Sequence, residues 1–284
     1  MNVQIILSNV GVTRCPVTLR FFSVSIEKSS IFAPMVTVAI CGFGNVGQHL
    51  FRAFQKTDGV RVTQVYNRSQ PQREIHWGGT AFITETSKIK AADVIILALP
   101  DDRIAAFSEK LQIKDQLLAH TSGAVAMGAL AGSNRRGVLY PLQTFSEGRD
   151  VPFKKTPICI EAENEGDVKI LQQLGGKISE NVRVISSKKR ATLHLAAVFV
   201  NNFVNHLYAV SAELLKKEGI AFSLLEPLIA ETASKIKTHM PAEAQTGPAI
   251  RNDIKTIERH VELLRATGFQ AIYEQLTEAI RAKR

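Results

Sequence analysis

The feature that most constrains the fold is the segment from Val36 to Asn67, in which two apolar runs flank a glycine-rich turn. The first run leads directly into Gly42-Phe43-Gly44-Asn45-Val46-Gly47, and the second ends at Asn67. This arrangement predicts a strand, a G-x-G-x-x-G turn, a helix and a second strand. The first glycine permits the tight bend, the second lets the backbone approach a pyrophosphate, and the third lets the helix pack on the strand. We therefore predict a dinucleotide site at the helix start, where unpaired N–H groups face the phosphates.

The residues after the second strand indicate which dinucleotide is bound. A carboxylate roughly 20 residues past the glycine motif would bind the ribose 2′-hydroxyl of NAD. Here Asn67 stands in that place and is followed by Arg68 and Ser69. An amide, a guanidinium and a hydroxyl can all donate hydrogen bonds to a 2′-phosphate, which a carboxylate would repel. We therefore predict NADP(H) as the cofactor; the alternative is that the three residues form an ordinary solvated loop.

The apolar pattern divides the chain into two parts. From Val36 to about Ser187, apolar runs alternate with helical stretches, which predicts an α/β domain of Rossmann type with a mostly parallel sheet. Beyond it only helical periodicity remains, with helices predicted over 188–218, 224–239, 250–266 and 269–282. We therefore predict a dinucleotide-binding domain over 35–187 and an all-helical domain over 188–284. Residues 1–34 are expected to be a loosely ordered extension or the product of a misassigned start codon, with a targeting peptide as the alternative.

Composition restricts the partners of the chain. The 284 residues carry a formal net charge of +9, but the basic residues are scattered, and the longest run is Lys188-Lys189-Arg190. We therefore expect no nucleic-acid partner and assign the surplus charge to an anionic cofactor or substrate. Three dispersed cysteines predict no zinc site and no disulfide framework, so we expect no metal and a reducing, cytoplasmic setting. The most apolar stretch, from Leu193 to Val210, is interrupted by polar residues, so no membrane span is predicted.

A later apolar run is predicted to approach the cofactor at its end. It starts at Asp93, reads as a buried strand and is stopped by Pro100, after which Asp101 is predicted to cap a helix. Ligands of parallel sheets lie beyond the carboxyl ends of the strands. We therefore expect Leu99, Pro100 and Asp101 to lie close to the cofactor.

Two polar segments have alternative interpretations. His120-Thr121-Ser122-Gly123 follows a short predicted strand at the same edge of the sheet, where His120 and Ser122 could contact a substrate. The alternative is a turn capped by a hydroxyl. The segment from Gln245 to Asp253 contains Gly247-Pro248, which opens a helix, and its polar side chains either line a substrate pocket or only start that helix.

The long helix predicted from Lys188 carries a polar stripe. His194, Val198, Asn201, Asn205 and Tyr208 fall on one face at helical spacing. Buried imidazole and amide groups need hydrogen-bond partners, so the stripe either bridges to another helix or faces a wet cleft. We favour the cleft for His194 and Asn201, because they lie near the start of the helix that joins the two domains. The alternative is that they are satisfied core residues.

These motifs together resemble those of a known family. They are the glycine turn, Asn67-Arg68-Ser69, H-T-S-G, Y-P-L-Q-T-F, the helix from His194 to Tyr208 and Q-T-G-P-A-x-R-x-D, and they cover the chain from Val36 to its end. The chain resembles Rossmann-like proteins with a C-terminal helical domain of unknown function, which are described as NADP oxidoreductases. It is more distantly similar to pyrroline-5-carboxylate reductase and to the 6-phosphogluconate and 3-hydroxyisobutyrate dehydrogenases. That resemblance implies a catalytic cleft between the two domains and a homodimer formed by the helical domain.

One position departs from the hydroxyacid dehydrogenases. Their pattern implies a catalytic lysine in K-x-x-N-N on the long helix, and aligning Asn201-Asn202 with its asparagines puts Val198 at the lysine position. His194, one turn earlier, is the nearest replacement acid or base. Pyrroline-5-carboxylate reductase reduces an imine without such a lysine and is therefore the closer analogue.

Two hypotheses follow for the function. The first is an NADP(H)-dependent oxidoreductase that acts on a C=O or C=N bond of a small anionic substrate. His194 would then be the acid or base, Asn201 and Ser122 would position the substrate, and His120 is a further candidate. The second is a non-catalytic NADP(H)-binding sensor, and the fold alone does not decide between them.

Overall fold

The computed structural model describes residues 35–72 and 74–283, so the predicted extension over 1–34 lies outside the described residues. The strands are β1 (Val36–Cys41), β2 (Val60–Tyr66), β3 (Ala81–Ile83), β4 (Val94–Leu97), β5 (Leu117–His120), β6 (Arg135–Pro141), β7 (Ile158–Ala162) and β8 (Val182–Val184). They form an 8-stranded sheet in the order β3-β2-β1-β4-β5-β6-β7-β8. Neighbouring strands are parallel except for β6 and β7, which pair antiparallel. The predicted Rossmann-type, mostly parallel sheet is confirmed.

Helices cover both faces of this sheet. Because successive side chains of a strand point to opposite faces, Val38 and Ile40 of β1 join the core under α1 (Asn45–Gln55) and α3 (Glu165–Ile178). Ala39 and Cys41 join the core under α2 (Asp101–Lys110) on the other face. Burial on both faces explains why β1 reads as a continuous apolar run rather than an alternating one.

The helical region contains α4 (Ser187–Ala197), α5 (Val204–Lys217), α6 (Glu226–Lys235), α7 (Pro248–Arg251), α8 (Ile254–Leu264) and α9 (Gln270–Arg281). Two predicted helices are interrupted. A π-helical turn over Val198–Phe203 separates α4 from α5. The helix predicted from Ile250 is broken because Asn252 adopts a left-handed φ of 55°. None of the helices in the described part of the chain combines the length and the hydrophobicity that crossing a membrane requires.

The start of α2 also differs from the prediction. Pro100 occupies the N-cap, and Asp101 and Asp102 stand in the first turn, with no side-chain capping hydrogen bond. Their carboxylates are still well placed, because the N-terminal end of a helix favours negative charge. Asp101 is therefore a first-turn residue and not the predicted cap.

Candidate active site

The turn between β1 and α1 places its three glycines in three different environments. Gly42 has a positive φ of 103°, and a Cβ there would lie 2.1 Å from the Ala98 carbonyl oxygen. A Cβ at Gly47 would lie 2.1 Å from the Gly42 carbonyl oxygen, so only glycine lets α1 approach the turn so closely. Nothing lies within 4 Å of a Cβ at the exposed Gly44. The fold therefore requires Gly42 and Gly47, while Gly44 leaves the open approach that a pyrophosphate needs.

The N-terminal end of α1 has the features that anion binding requires. The helix begins at Asn45, and its first turn contains no acidic residue. The unpaired N–H groups of a first helical turn and the helix dipole both favour a phosphate. The side chain of Asn45 is engaged elsewhere, since its Nδ2 donates to the Phe145 carbonyl oxygen at 3.1 Å. Asn45, Val46 and Gly47 thus offer backbone donors rather than side chains to a cofactor.

Asn67 shapes the loop after β2. Its Oδ1 accepts a hydrogen bond from the Phe43 N–H at 3.3 Å, and its Nδ2 donates to the Ser69 carbonyl oxygen at 2.9 Å. Asn67 therefore joins the glycine turn to the loop that carries Arg68. The exposed Arg68 is left as the charged donor that could meet a 2′-phosphate.

A cavity of about 270 Å³ lies between the glycine turn and the start of α2. Arg103, from the first turn of α2, joins Arg68 in its wall, so two guanidinium groups line one cavity. Its lining residues are Gly42, Phe43, Gly44, Tyr66, Asn67, Arg68, Ala98, Leu99, Pro100, Arg103 and Phe107. Among the predicted cofactor residues, this wall does not include Asn45, Val46, Gly47, Ser69 or Asp101.

The H-T-S-G segment forms a buried turn after β5. His120 is 0% exposed, and its Nδ1 accepts a hydrogen bond from the Ser122 N–H at 3.2 Å. The Ser122 hydroxyl accepts from the N–H groups of Ala124 and Val125 at 3.1 and 3.0 Å. Neither His120 nor Ser122 belongs to the wall of the cavity beside His194. The Ser122 hydroxyl therefore caps the turn, as the alternative interpretation predicts, and contact of His120 or Ser122 with a substrate stays a prediction.

The environment of His120 keeps its imidazole neutral. Burial, followed by the charge of Arg190, lowers the pKa of His120 to about 4 against the opposing effects of Asp101, the Ala126 carbonyl and Glu161. A neutral Nδ1 is also what the hydrogen bond from the Ser122 N–H requires. The residue is therefore a neutral structural group at pH 7.

His194 and Tyr140 form a pair at the end of β6. Tyr140 Oη lies 3.0 Å from His194 Nδ1, and the two rings meet edge to face at 5.8 Å. Gly123 lies directly against both rings, since a Cβ there would be 2.5 Å from His194 Nδ1 and 2.8 Å from Tyr140 Cζ. Burial raises the pKa of Tyr140 to about 12, so its phenol keeps its proton at neutral pH.

A cavity of about 350 Å³ opens beside this pair. Its walls come from the end of β6, the segment that follows it, α4 and the π-helical turn; they consist of Tyr140, Leu142, Gln143, Thr144, Leu193, His194, Ala196, Ala197, Val198, Val200, Asn201 and Asn202. His194, Val198 and Asn201 thus share this cavity, as the cleft interpretation of the long helix predicts. Asn205 and Tyr208 are not in its wall. The π-helical turn over Val198–Phe203 lies between His194 and these two residues, so they do not continue its face at regular α-helical spacing.

An ion-pair network fixes the start of α4, which carries His194. The fully buried guanidinium of Arg190 donates to Glu161 of β7 and to the Val125 carbonyl oxygen. Ser187 donates to the same carboxylate through its hydroxyl at 2.7 Å and its N–H at 2.9 Å. Burial alone would raise the pKa of Glu161, but the hydrogen bonds from Ser187 and Arg190 outweigh burial and lower it. His194 lies one helical turn after Arg190, so the network sets its position.

The segment from Gln245 to Asp253 forms a turn and two helix starts. Gly247 is the N-cap of α7 with a φ of 108°, and Asp253 is the N-cap of α8. The Asp253 carboxylate accepts from the Thr256 N–H at 3.2 Å and from its hydroxyl at 2.8 Å. These contacts support the helix-start interpretation for Asp253.

Comparison with known proteins identifies the family. Residues 24–145 match the Rossmann-like domain family, and residues 156–280 match the domain of unknown function DUF2520. A crystal structure described as "putative NADP oxidoreductase BF3122 from Bacteroides fragilis" is 36% identical, covers 87% of this chain and 98% of its own, and superposes with a TM-score of 0.79. The chain therefore belongs to the same protein family as the Bacteroides fragilis protein. The resemblance inferred from the motifs is therefore confirmed.

Two other solved structures share the fold of this chain. Pyrroline carboxylate reductase from Plasmodium falciparum, solved with NADP bound, is 13% identical over 88% of this chain and 98% of its own, with a TM-score of 0.59. Imine reductase from Myxococcus stipitatus, in complex with NADP+, is 12% identical over 87% of this chain and 93% of its own, with a TM-score of 0.62. At these identities the likeness concerns the fold. None of the curated proteins matches the chain.

Two residues that line these cavities, Tyr140 and Arg103, are not predicted from the sequence. Tyr140 reads as an apolar strand residue, although its place at the carboxyl end of a strand, just before Pro141, is a signal that could have identified it. Arg103 follows Asp101 and Asp102 at the start of a helix, so in the sequence it looks like an ordinary charged surface residue. The pairing of Tyr140 with His194 and the place of Arg103 beside Arg68 follow from the fold, which brings together residues that are distant in the sequence.

Proposed function

We propose that this protein is an NADP(H)-dependent oxidoreductase that transfers hydride to or from a C=O or C=N carbon of a small anionic substrate. The observation that carries the proposal is the His194–Tyr140 pair, because both residues line one cavity. Tyr140 lies at the same edge of the sheet as the glycine turn. The family relationship to the Bacteroides fragilis protein supports the NADP chemistry. The fold shared with NADP-bound pyrroline carboxylate and imine reductases supports a C=N or C=O bond as the reacting group.

The residues of the chain fit the cofactor at three points. The first turn of α1 offers backbone donors to the pyrophosphate, Gly44 leaves room for it, and Arg68 with Arg103 offers charge to the 2′-phosphate. When bound, the nicotinamide supplies or accepts the hydride. The remaining work falls to side chains of this chain, which bind the substrate, exclude water and move a proton.

His194 is the proposed acid or base. Its Nδ1 is held by Tyr140, and a phenol can serve either as donor or as acceptor, so the ring keeps its orientation in both protonation states. Nε2 is then the atom that gives a proton to the substrate nitrogen or oxygen during reduction and takes it back during oxidation. Tyr140 acts through His194 and is a positioning residue.

Neutral and charged donors support a small anionic substrate. Gln143, Thr144 and Asn201 line the cavity beside His194, and their amides and hydroxyl can donate to a carboxylate. The same three residues also line an adjoining cavity that contains Arg149. A substrate carboxylate directed toward Arg149 would gain a charge-assisted hydrogen bond.

The experiment is a turnover assay with NADPH and a panel of small keto acids and cyclic imino acids. We expect His194→Ala to lower kcat by at least about a hundredfold, the usual effect of removing a positioned acid or base. Thr192→Ala, on the exposed side of the same helix, is the matched control and should keep wild-type turnover. Tyr140→Phe should change the pH–rate profile while leaving NADPH affinity intact. Wild-type kcat in His194→Ala would remove His194 from the mechanism.

The alternative is a non-catalytic NADP(H)-binding sensor, which is favoured by Val198 at the position of the dehydrogenase lysine. The same assay distinguishes the two functions. Robust wild-type turnover on any member of the panel excludes the sensor. Tight NADPH binding without turnover across the panel would instead support it.

We also propose that two copies associate through the helical region in a cytoplasmic setting. The large exposed apolar side chains of that region include Leu195, Phe199, Val200, Phe203 and Leu263. Large apolar patches on a protein surface commonly mark an interface. Cys41 and Cys159 are both buried free thiols, which fits a reducing compartment.

A further inference from the structure

A cavity of about 500 Å³ lies on the sheet domain between the end of α1, the segment 150–155 and the end of α3. Five cationic side chains line it, whereas Asp150 is its one carboxylate; the cations are Arg52, Lys56, Lys154, Lys155 and Lys177. The chain as a whole has a net charge of +9, so a large part of its surplus is gathered at this cavity. We call it the basic cavity.

The basic cavity is distinct from the cofactor site. The glycine turn stands at the first residue of α1, Asn45, while Lys56 follows the last residue of that helix. At 1.5 Å per residue the two ends are about 16 Å apart. None of the residues lining the basic cavity lines the cavity that contains Arg68 and Arg103.

Apart from Asp150, no carboxylate lines the basic cavity, and its lysines are not held in ion pairs within the described part of the chain. No salt bridge there involves Lys56, Lys154, Lys155 or Lys177. A Cβ at Gly59 would lie 3.1 Å from Lys177 Nζ, so this ammonium rests against the turn that follows α1. Like charges gathered in this way repel one another and destabilise the compact state, and a bound anion would relieve that repulsion.

Helix ends explain only part of this cluster. The C-terminal ends of α1 and α3 favour cations, which accounts for Lys56 and Lys177. Lys154 and Lys155 lie on a separate segment, which is fixed to the end of α3 because the Glu180 N–H donates to the Lys154 carbonyl oxygen at 3.0 Å. Both lysines line the cavity, but they do not lie at the C-terminal end of an α-helix whose dipole would favour a positive charge.

The apolar part of the lining indicates the kind of anion. Ala53, Val151, Phe153 and Ile178 line the basic cavity together with the cations. Such a combination fits a ligand with an anionic head and an apolar body, and several cations around one space suit a dianionic phosphate better than a single carboxylate. We propose that the basic cavity binds an organic phosphate with an apolar body.

The test uses octyl phosphate as the probe, titrated calorimetrically into the full chain at saturating NADPH so that the cofactor site is filled. We expect binding of one octyl phosphate per chain, with octanol and inorganic phosphate each at least about tenfold weaker. The double variant Lys154→Glu with Lys177→Glu should weaken octyl phosphate binding by at least about tenfold, since two attractions become repulsions. Lys110→Glu is the matched control, because Lys110 is the last-turn lysine of α2 and lies outside the cavity.

Three results would overturn the proposal. They are an absence of octyl phosphate binding at millimolar concentration, octanol binding as tight as that of octyl phosphate, and equal loss of affinity in the double variant and in Lys110→Glu. NADPH affinity measured on each variant verifies that its fold is intact. Because this site does not depend on NADPH, failure of the proposed oxidoreductase activity leaves the octyl phosphate result unaffected.

Discussion

The sheet region and the helical region differ most in how much apolar surface each buries within one chain. In the sheet, Ile40, Ile95 and Ile96 are 0% exposed between helices on both faces. Among the described residues from 188 onward, the buried side chains are Arg190, Ala249, Leu264 and Thr277, and Phe199 and Val200 remain 59% and 72% exposed.

This difference shows that the sheet region and the helical region position their site residues in different ways. The glycine turn, Arg68 and the Tyr140 hydroxyl are all positioned by a core that one chain completes. The helical region supplies His194 and Asn201 and leaves large apolar side chains exposed, which is the surface proposed for association. We therefore expect the sheet region to be sensitive to changes in packing and the helical region to be sensitive to changes in association.

The largest effect is expected from a change to the packing of the glycine turn. Gly47→Ala places a Cβ where the Gly42 carbonyl oxygen lies, and we expect the free energy of unfolding to fall by at least about 3 kcal/mol and NADPH binding to be lost. Gly44→Ala has no neighbour within 4 Å and should keep the stability while weakening NADPH binding. Urea unfolding and calorimetric titration measure both quantities. Equal stability loss in the two variants would contradict the assigned roles.

A smaller effect is expected from the buried histidine. The pKa of His120 is about 4 in the folded chain and 6.5 as a model value, so the unfolded chain takes up the proton first as the pH falls. Stability should therefore decrease from about pH 6.5 and lose up to about 3 kcal/mol by pH 4. His120→Asn should flatten this part of the stability profile, whereas His239→Asn, at an exposed position of the helical region, should not. A steep profile that persists in His120→Asn would place the titrating group elsewhere.

The smallest effect is expected at the proposed interface. Phe199→Glu puts a charge on the exposed apolar face of the π-helical turn, and we expect the dimer dissociation constant to rise by at least about thirtyfold, as for other interface anchors. Val184→Glu changes a similarly exposed apolar residue, 61% exposed on β8 of the sheet region, and should leave association unchanged. Light scattering over a dilution series provides the masses. A wild-type chain that is monomeric at every concentration would refute the interface.

The sheet could be predicted because its signals are local. The runs that became β1 and β4 are apolar on both faces, and the separation of Gly42, Gly44 and Gly47 fixes the turn before any tertiary contact is known. The π-helical turn could not be predicted, because Val198–Phe203 contains no Gly or Pro to mark an interruption of the helix. The cavity wall includes Asn201 but not Asn205 or Tyr208, which regular helical spacing places on the same face.

The roles of single polar residues were the least predictable. Ser122 and His120 lie at the expected sheet edge, but whether a hydroxyl contacts a ligand or caps a turn depends on neighbours that the sequence does not specify. Tyr140 meets His194 across 54 positions of the chain, a pairing that only the sheet order and the ion-pair network of Arg190 bring about.

The central claim is that the sheet region alone carries a site selective for NADP(H), and a fluorescence titration tests it most directly. Trp77 is the one tryptophan of the chain and lies 5.3 Å from Phe43 of the glycine turn, so its emission reports on that turn. We predict that NADPH binds at least about tenfold more tightly than NADH, and that Arg68→Ala removes most of this preference while leaving NADH affinity unchanged. NADH binding as tight as or tighter than NADPH binding in the wild-type chain would contradict the claim.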